Sequence, residues 1–158
     1  MKRDISACRS VGAKGVVFGI LTKKLTLSDK NIELIETAMS LGLECTLHRA
    51  FDLTLSTDGT MERVISMGFD RLLTSGRREK AIEGIDFISN LEKVYGSQIQ
   101  IMAGSGVNPI NAVDFQNAKI KHLHFTARKR NDDAEILDMG IRYSVDEAKI
   151  NSMAALFS

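Results

Sequence analysis

The amino-acid sequence predicts an α/β fold, with about five βα units laid along one parallel sheet. Two observations carry this. Short apolar runs alternate with segments of helical period, which is the pattern of βαβ units. Glycines also recur in rhythm, as Gly12, Gly42, Gly68 and Gly96, at intervals of 30, 26 and 28 residues. Each follows a helix-period segment and precedes an apolar run, the place where a left-handed turn ends a helix. A rhythm of roughly 28 residues suits a TIM barrel and a doubly wound sheet alike. The 158 residues fit a single domain spanning 1–158.

The elements follow in order. Ile5, Cys8 and Val11 share the apolar side of a first helical pattern, which makes Cys8 a small buried hydrophobe. Strands are expected at about 15–20, 44–49, 70–74, 98–103 and 121–126. Between the first two, Ile32, Ile35, Ala38, Met39 and Leu41 mark a helix over 28–41, with Ser28 as its N-cap. Ala81, Ile82, Ile85, Ile88, Leu91 and Val94 make the clearest helical stripe, over 79–95. Asn108 and Pro109 read as N-cap and first residue of a helix carrying Ile110, Val113 and Phe115 inward. Val145, Ala148, Ile150, Met153 and Leu156 predict a closing helix over 145–157. The run Arg128-Lys129-Arg130, followed by Asp132, Asp133 and Glu135, reads as a solvated loop.

Composition excludes several classes. Lys plus Arg is 21 and Asp plus Glu is 20, for a net charge of +1. A nucleic-acid binder would show a basic bias, so none is expected as a partner. Cys8 and Cys45 form no C-x-x-C pair, so no zinc or redox signature is present. Free thiols point to a reducing compartment. Asp4, Arg9 and Lys14 interrupt any signal peptide, and the apolar run 16–21 falls far short of the ~20 residues of a membrane span. The expected location is the cytoplasm, away from membranes.

In parallel α/β folds, chemistry collects where strands end. The second strand ends in His48-Arg49-Ala50-Phe51-Asp52, the third in Thr74-Ser75-Gly76, the fourth in Gly104-Ser105-Gly106 and the fifth in His124 with Arg128 beyond. His48 is a candidate metal ligand or general base, and Arg49 an anion clamp. The plain alternative is a histidine satisfied by neighbouring backbone, with Arg49 paired to Asp52. Ser75-Gly76 and Gly104-Ser105-Gly106 can offer backbone N–H groups to an oxyanion, and the helix opened by Asn108-Pro109 adds its dipole behind the second turn. His122 and His124 face one side of their strand, a pair that lacks the third ligand of most metal sites. Cys45, at the far end of its strand, belongs to the core.

Several strings together resemble the CutC copper homeostasis family. They are Gly15-Val16-Val17-Phe18-Gly19-Ile20-Leu21-Thr22, His48-Arg49-Ala50-Phe51-Asp52, and the run from Gly68 to Gly76. Ala81-Ile82-Glu83-Gly84, the run from Ile101 to Val107, and His124-x-Thr126-Ala127-Arg128 follow in order and spacing. The resemblance covers most of residues 4–128. It implies a TIM-barrel (β/α)8 fold, here an incomplete barrel of about five units, in a cytoplasmic protein of copper handling. Family members are longer. Three strands that precede residue 4 in them, with glutamate, cysteine and arginine at the site, have no counterpart here. Phe125 stands where the family usually has a small residue, which is expected to narrow the pocket or alter its packing.

The leading expectation is a CutC-like partial barrel that binds or handles copper in metal tolerance, with His48 and His124 as ligands and Asp52 orienting them. A rival is an enzyme acting on a phosphorylated or carboxylated metabolite, with His48 as base and Arg49 or Arg128 as clamp; it rests on fold analogy. A third is a truncated product without its own site. Five strands leave two open edges, so a homo-oligomer or pairing through those edges is expected.

Overall fold

The computed structural model describes residues 1–131 and 142–157. Five parallel strands, β1 (Gly15–Phe18), β2 (Glu44–Leu47), β3 (Arg71–Thr74), β4 (Gln100–Gly104) and β5 (His122–His124), form one sheet in sequence order. Helices α1 (Lys2–Ser10), α2 (Lys30–Ser40), α3 (Asp58–Met67), α4 (Ile85–Tyr95) and α5 (Ala112–Asn117) alternate with them. This is the α/β architecture that the alternation predicts. Among the described residues the sheet does not close: β1 and β5 are its outer strands. The strands occupy the expected positions, each shorter than its apolar run.

One sheet face lies under the helices. Val16, Phe18, Cys45, Leu47, Leu72, Ile101 and Ala103 are buried there with Ile35, Ala38, Val64 and Ile88 of the helices. Among the described residues nothing covers the opposite face, and Val17 is 62% exposed between two buried neighbours. Side chains alternate between faces along a strand, which makes the buried–exposed alternation of β1 the signature of one-sided packing. On the uncovered face Arg71 donates to Gln100 Oε1 at 2.9 Å, Thr46 Oγ1 at 3.3 Å and Glu44 Oε2 at 3.2 Å, tying β2, β3 and β4 together.

Gly12, Gly42 and Gly68 take the left-handed turn that the rhythm predicts. Gly96 does not: its φ is −62°, in the right-handed helical region. Several faces also differ from their stripes. Val11, Ile32, Met39 and Val94 are exposed, and Cys8 is only half-buried against the core. Ser28 accepts from the Lys30 amide at 3.3 Å, so it caps from outside the first turn. The segment 79–95 is a 3-10 turn (Ala81–Gly84) that passes into α4, not one helix.

At 108–115 the helix starts later than expected, at Ala112, because 109–111 form a turn. Ala112 and Phe115 face inward, while Ile110 is 93% exposed and Val113 is exposed. The basic run is not a loop but strand β6 (Arg128–Arg130), paired antiparallel with β7 (Tyr143–Val145). It is fully exposed, as expected. Asp132, Asp133 and Glu135 lie outside the described residues. The closing helix is α6 (Glu147–Ala155), shorter than 145–157; only Met153 is buried, with Leu156 half-buried and Val145, Ala148 and Ile150 exposed. No helix among the described residues is long and apolar enough to cross a membrane.

Candidate functional site

Two clusters occupy the C-terminal rim of the sheet. The first is built around Asp52. Beyond β2 the chain enters a 3-10 turn (Arg49–Leu53), which points Asp52 at the end of β3. Its Oδ1 accepts from Thr74 Oγ1 and from the Arg77 amide at 3.2 Å. Its Oδ2 accepts from the Ser75 amide at 3.0 Å, Ser75 Oγ at 2.9 Å and Arg49 Nε at 2.9 Å. The Asp52 side chain is 7% exposed. Burial pushes its carboxyl up, but the bonds from Thr74, the Ser75 amide, Arg49 and Ser75 Oγ outweigh burial and hold it below the usual carboxylate range. Asp52 therefore locks two rim loops together. It makes no bond to His48, so the orienting role expected of it is not the geometry found.

His48 Nδ1 accepts from the Ala50 amide at 3.2 Å. In the neutral ring that places the proton on Nε2. The ring lies against Gly19, where an added Cβ would stand 3.0 Å from Nδ1 and Cε1. The backbone contact to His48 and the Arg49–Asp52 pair are the two contacts that the plain structural alternative anticipates.

Ser75 and Gly76 close the same cluster. Gly76 has φ +68°, and a Cβ added there would press on the Gly84 carbonyl oxygen and stand 2.8 Å from the Gly84 Cα. Here backbone packs on backbone and neither side can yield. Gly76→Ala should therefore lower stability by about 2–4 kcal/mol, through left-handed strain plus overpacking. Chemical denaturation checks this; an unchanged midpoint would mean that the loops part freely.

The second cluster is a cavity of about 410 Å³ beyond β4 and β5. Arg49, His124 and Lys149 line it as its basic residues, and no acidic residue does among the described residues. Leu73, Val107 and Phe125 give it an apolar wall, while Gly104, Ser105, Gly106, Asn108 and Thr126 supply the rest. Gly104 lets His124 pack close, because an added Cβ would meet His124 Cβ at 3.3 Å. Ser105 takes φ +98° and donates through Oγ to the Glu79 carbonyl at 2.7 Å, which pins the glycine turn. Lys149 of α6 donates to the Thr126 carbonyl at 2.6 Å.

Of the predicted rim residues, this cavity gathers Arg49, Gly104, Ser105, Gly106 and His124. His48, Asp52, Ser75, Gly76 and Arg128 do not line it. Arg128 instead donates to Thr126 Oγ1 at 3.2 Å and lies 5.1 Å over the Tyr143 ring. The expected dipole behind the second turn is already engaged: Asn108 Oδ1 accepts from the Ile110 and Asn111 amides. His48 directly follows β2 and His124 ends β5, three strand spacings or roughly 14 Å apart along the sheet. No group of three or more His, Cys, Asp or Glu side chains that could hold a metal occurs among the described residues. Cys45 is buried, with its thiol pushed up to about 11 by burial and by the charge of Asp70.

The sequence missed Lys149, which stood in a segment read only for its apolar stripe. Phe125 lines the cavity as expected of a bulky residue there.

The chain resembles known proteins over most of its length. The model of the CutC family matches residues 1–129. A family protein CutC from Glaesserella parasuis serovar 5 is 38% identical over 129 residues, covering 81% of this chain and 53% of the relative. One from Histophilus somni is 40% identical over 131 residues, with coverages of 81% and 53%. The chain thus spans about half the length of the curated relatives it matches. Among solved structures, the "Putative Copper Homeostasis Protein CutC" from Streptococcus agalactiae aligns with a TM-score of 0.67 at 28% identity, covering 78% of this chain and 60% of that one. A structure described as native KDPGal aligns with a TM-score of 0.65 at 14% identity, covering 99% and 64%; that likeness concerns the fold alone.

Proposed function

The chain belongs to the CutC family, and from that premise we propose that it serves copper homeostasis as a cytoplasmic domain that binds or passes on copper. The observation that carries this is the family match across residues 1–129, together with the copper homeostasis role named for the Streptococcus agalactiae relative. At the residue level His48 and His124 are the candidate ligands, since imidazole is a competent copper donor. The Ala50 amide occupies His48 Nδ1, which leaves Nε2 as the nitrogen for metal. Their separation across the sheet makes them two independent donors. In a competition titration with a Cu(I) chelator, the His48→Ala, His124→Ala double variant should bind at least about tenfold more weakly than the parent chain. Equal affinities would overturn the assignment of both histidines.

A second function is favoured by the charge of the rim cavity. Among the described residues, three basic side chains and no acidic one line it, which suits a small phosphorylated or carboxylated metabolite at least as well as a soft metal. In that role Arg49, held by Asp52, is the anion clamp. His124, and not His48, is the imidazole beside the ligand.

A further inference from the structure

We infer that the rim cavity is a site for a small oxyanion group whose decisive cation, Lys149, comes from the segment beyond the family match. The inference rests on the anion-binding function just described and adds the residue that governs it. The family match ends at residue 129, whereas α6 spans Glu147–Ala155. Most of the cavity wall, from Arg49 to Thr126, lies inside the match, and Lys149 lies outside it.

The three basic side chains are not equivalent. Arg49 is already paired with the nearly buried Asp52, and its Nη2 donates to Ser75 Oγ at 2.8 Å and the Arg78 carbonyl at 3.2 Å. Its charge is largely offset before any ligand arrives. His124 brings an imidazole ring, which offers at most two N–H donors. Lys149 has no carboxylate partner among the described residues. An ammonium carries three donors, and the Thr126 carbonyl takes one at 2.6 Å. That bond holds the head group at the cavity wall and leaves two donors for a ligand. A phosphate or carboxylate oxygen meeting such a group gains a charge-assisted bond. A chain of this family without α6 would keep the same glycine turn and arginine and lose the cation.

Isothermal titration with inorganic phosphate at low ionic strength tests this on the full chain, with malonate as the carboxylate probe. Lys149→Gln keeps a donor for the Thr126 carbonyl and removes the charge. It should weaken binding of the preferred probe about tenfold or more with an unchanged melting temperature, while Lys149→Arg stays within about threefold. Which probe binds more tightly tells phosphate from carboxylate recognition. Binding that survives Lys149→Gln overturns the inference and leaves the anion site standing. No binding of either probe by the parent chain overturns both.

Discussion

Asp52→Ala should destabilise the fold by about 3–5 kcal/mol, the loss expected when one member of a buried charged network is removed. The carboxylate accepts from Thr74, from the Ser75 amide and hydroxyl, from Arg49 and from the Arg77 amide. Truncation leaves donors from two loops facing an empty space, each a desolvated group without a partner. Asp52→Asn keeps the shape and should lose less, since one of its two terminal atoms still accepts. The acid limb separates charge from shape. The folded-state carboxyl titrates below its unfolded value, so its contribution is fully present above the unfolded value. It fades as pH falls through the folded value. Parent and Asp52→Ala stabilities should therefore converge on acidification. Urea melts across that range read this directly, and a gap independent of pH would mean that Asp52 acts by shape alone.

The legible parts of this molecule are those fixed by local patterning. Apolar runs beside glycines at a steady interval put five strands and their helices in place, because a parallel strand must be apolar to sit beneath helices. Faces were less legible. Ile110 and Val113 continue a helical stripe, but the Asn108 side chain caps the Ile110 and Asn111 amides and delays the helix to Ala112, which turns both residues outward. Strand β6 was hidden because Arg128-Lys129-Arg130 has no apolar face; it forms by pairing with Tyr143–Val145, a distant partner. At the rim, residue type announced His48, Arg49, Asp52 and the glycine turns. Only packing could show that Asp52 belongs to a structural lock and that Lys149 reaches the cavity. The resemblance to the CutC family was carried by whole strings in register, which is why it survived the errors at individual faces.

Purified by itself, the 158-residue chain should not run as a single monomeric species. The physical ground is the sheet face that no helix among the described residues covers. In a TIM barrel the interior is filled by layers of side chains from every strand. Here Val17 is 62% exposed on the same face as half-buried Leu73 and Met102 and the Glu44–Arg71–Gln100 row. The outer strands β1 and β5 each present an unpaired row of backbone groups among the described residues, and such rows recruit other strands. Because all five strands run parallel in sequence order, β1 of one copy can extend the ladder beside β5 of another without reversing direction. That union would cover the apolar face and satisfy the edges together. Light scattering over a concentration series should show mass growing above 17.4 kDa. Val17→Lys places a charge on the uncovered face and should weaken the association about tenfold or more, since a lysine on an edge strand opposes such pairing. A sharp monomer with cooperative melting would refute this. The face would then be held open by its own polar row, with Arg71 binding Glu44, Thr46 and Gln100 strongly enough to make the half-barrel surface soluble.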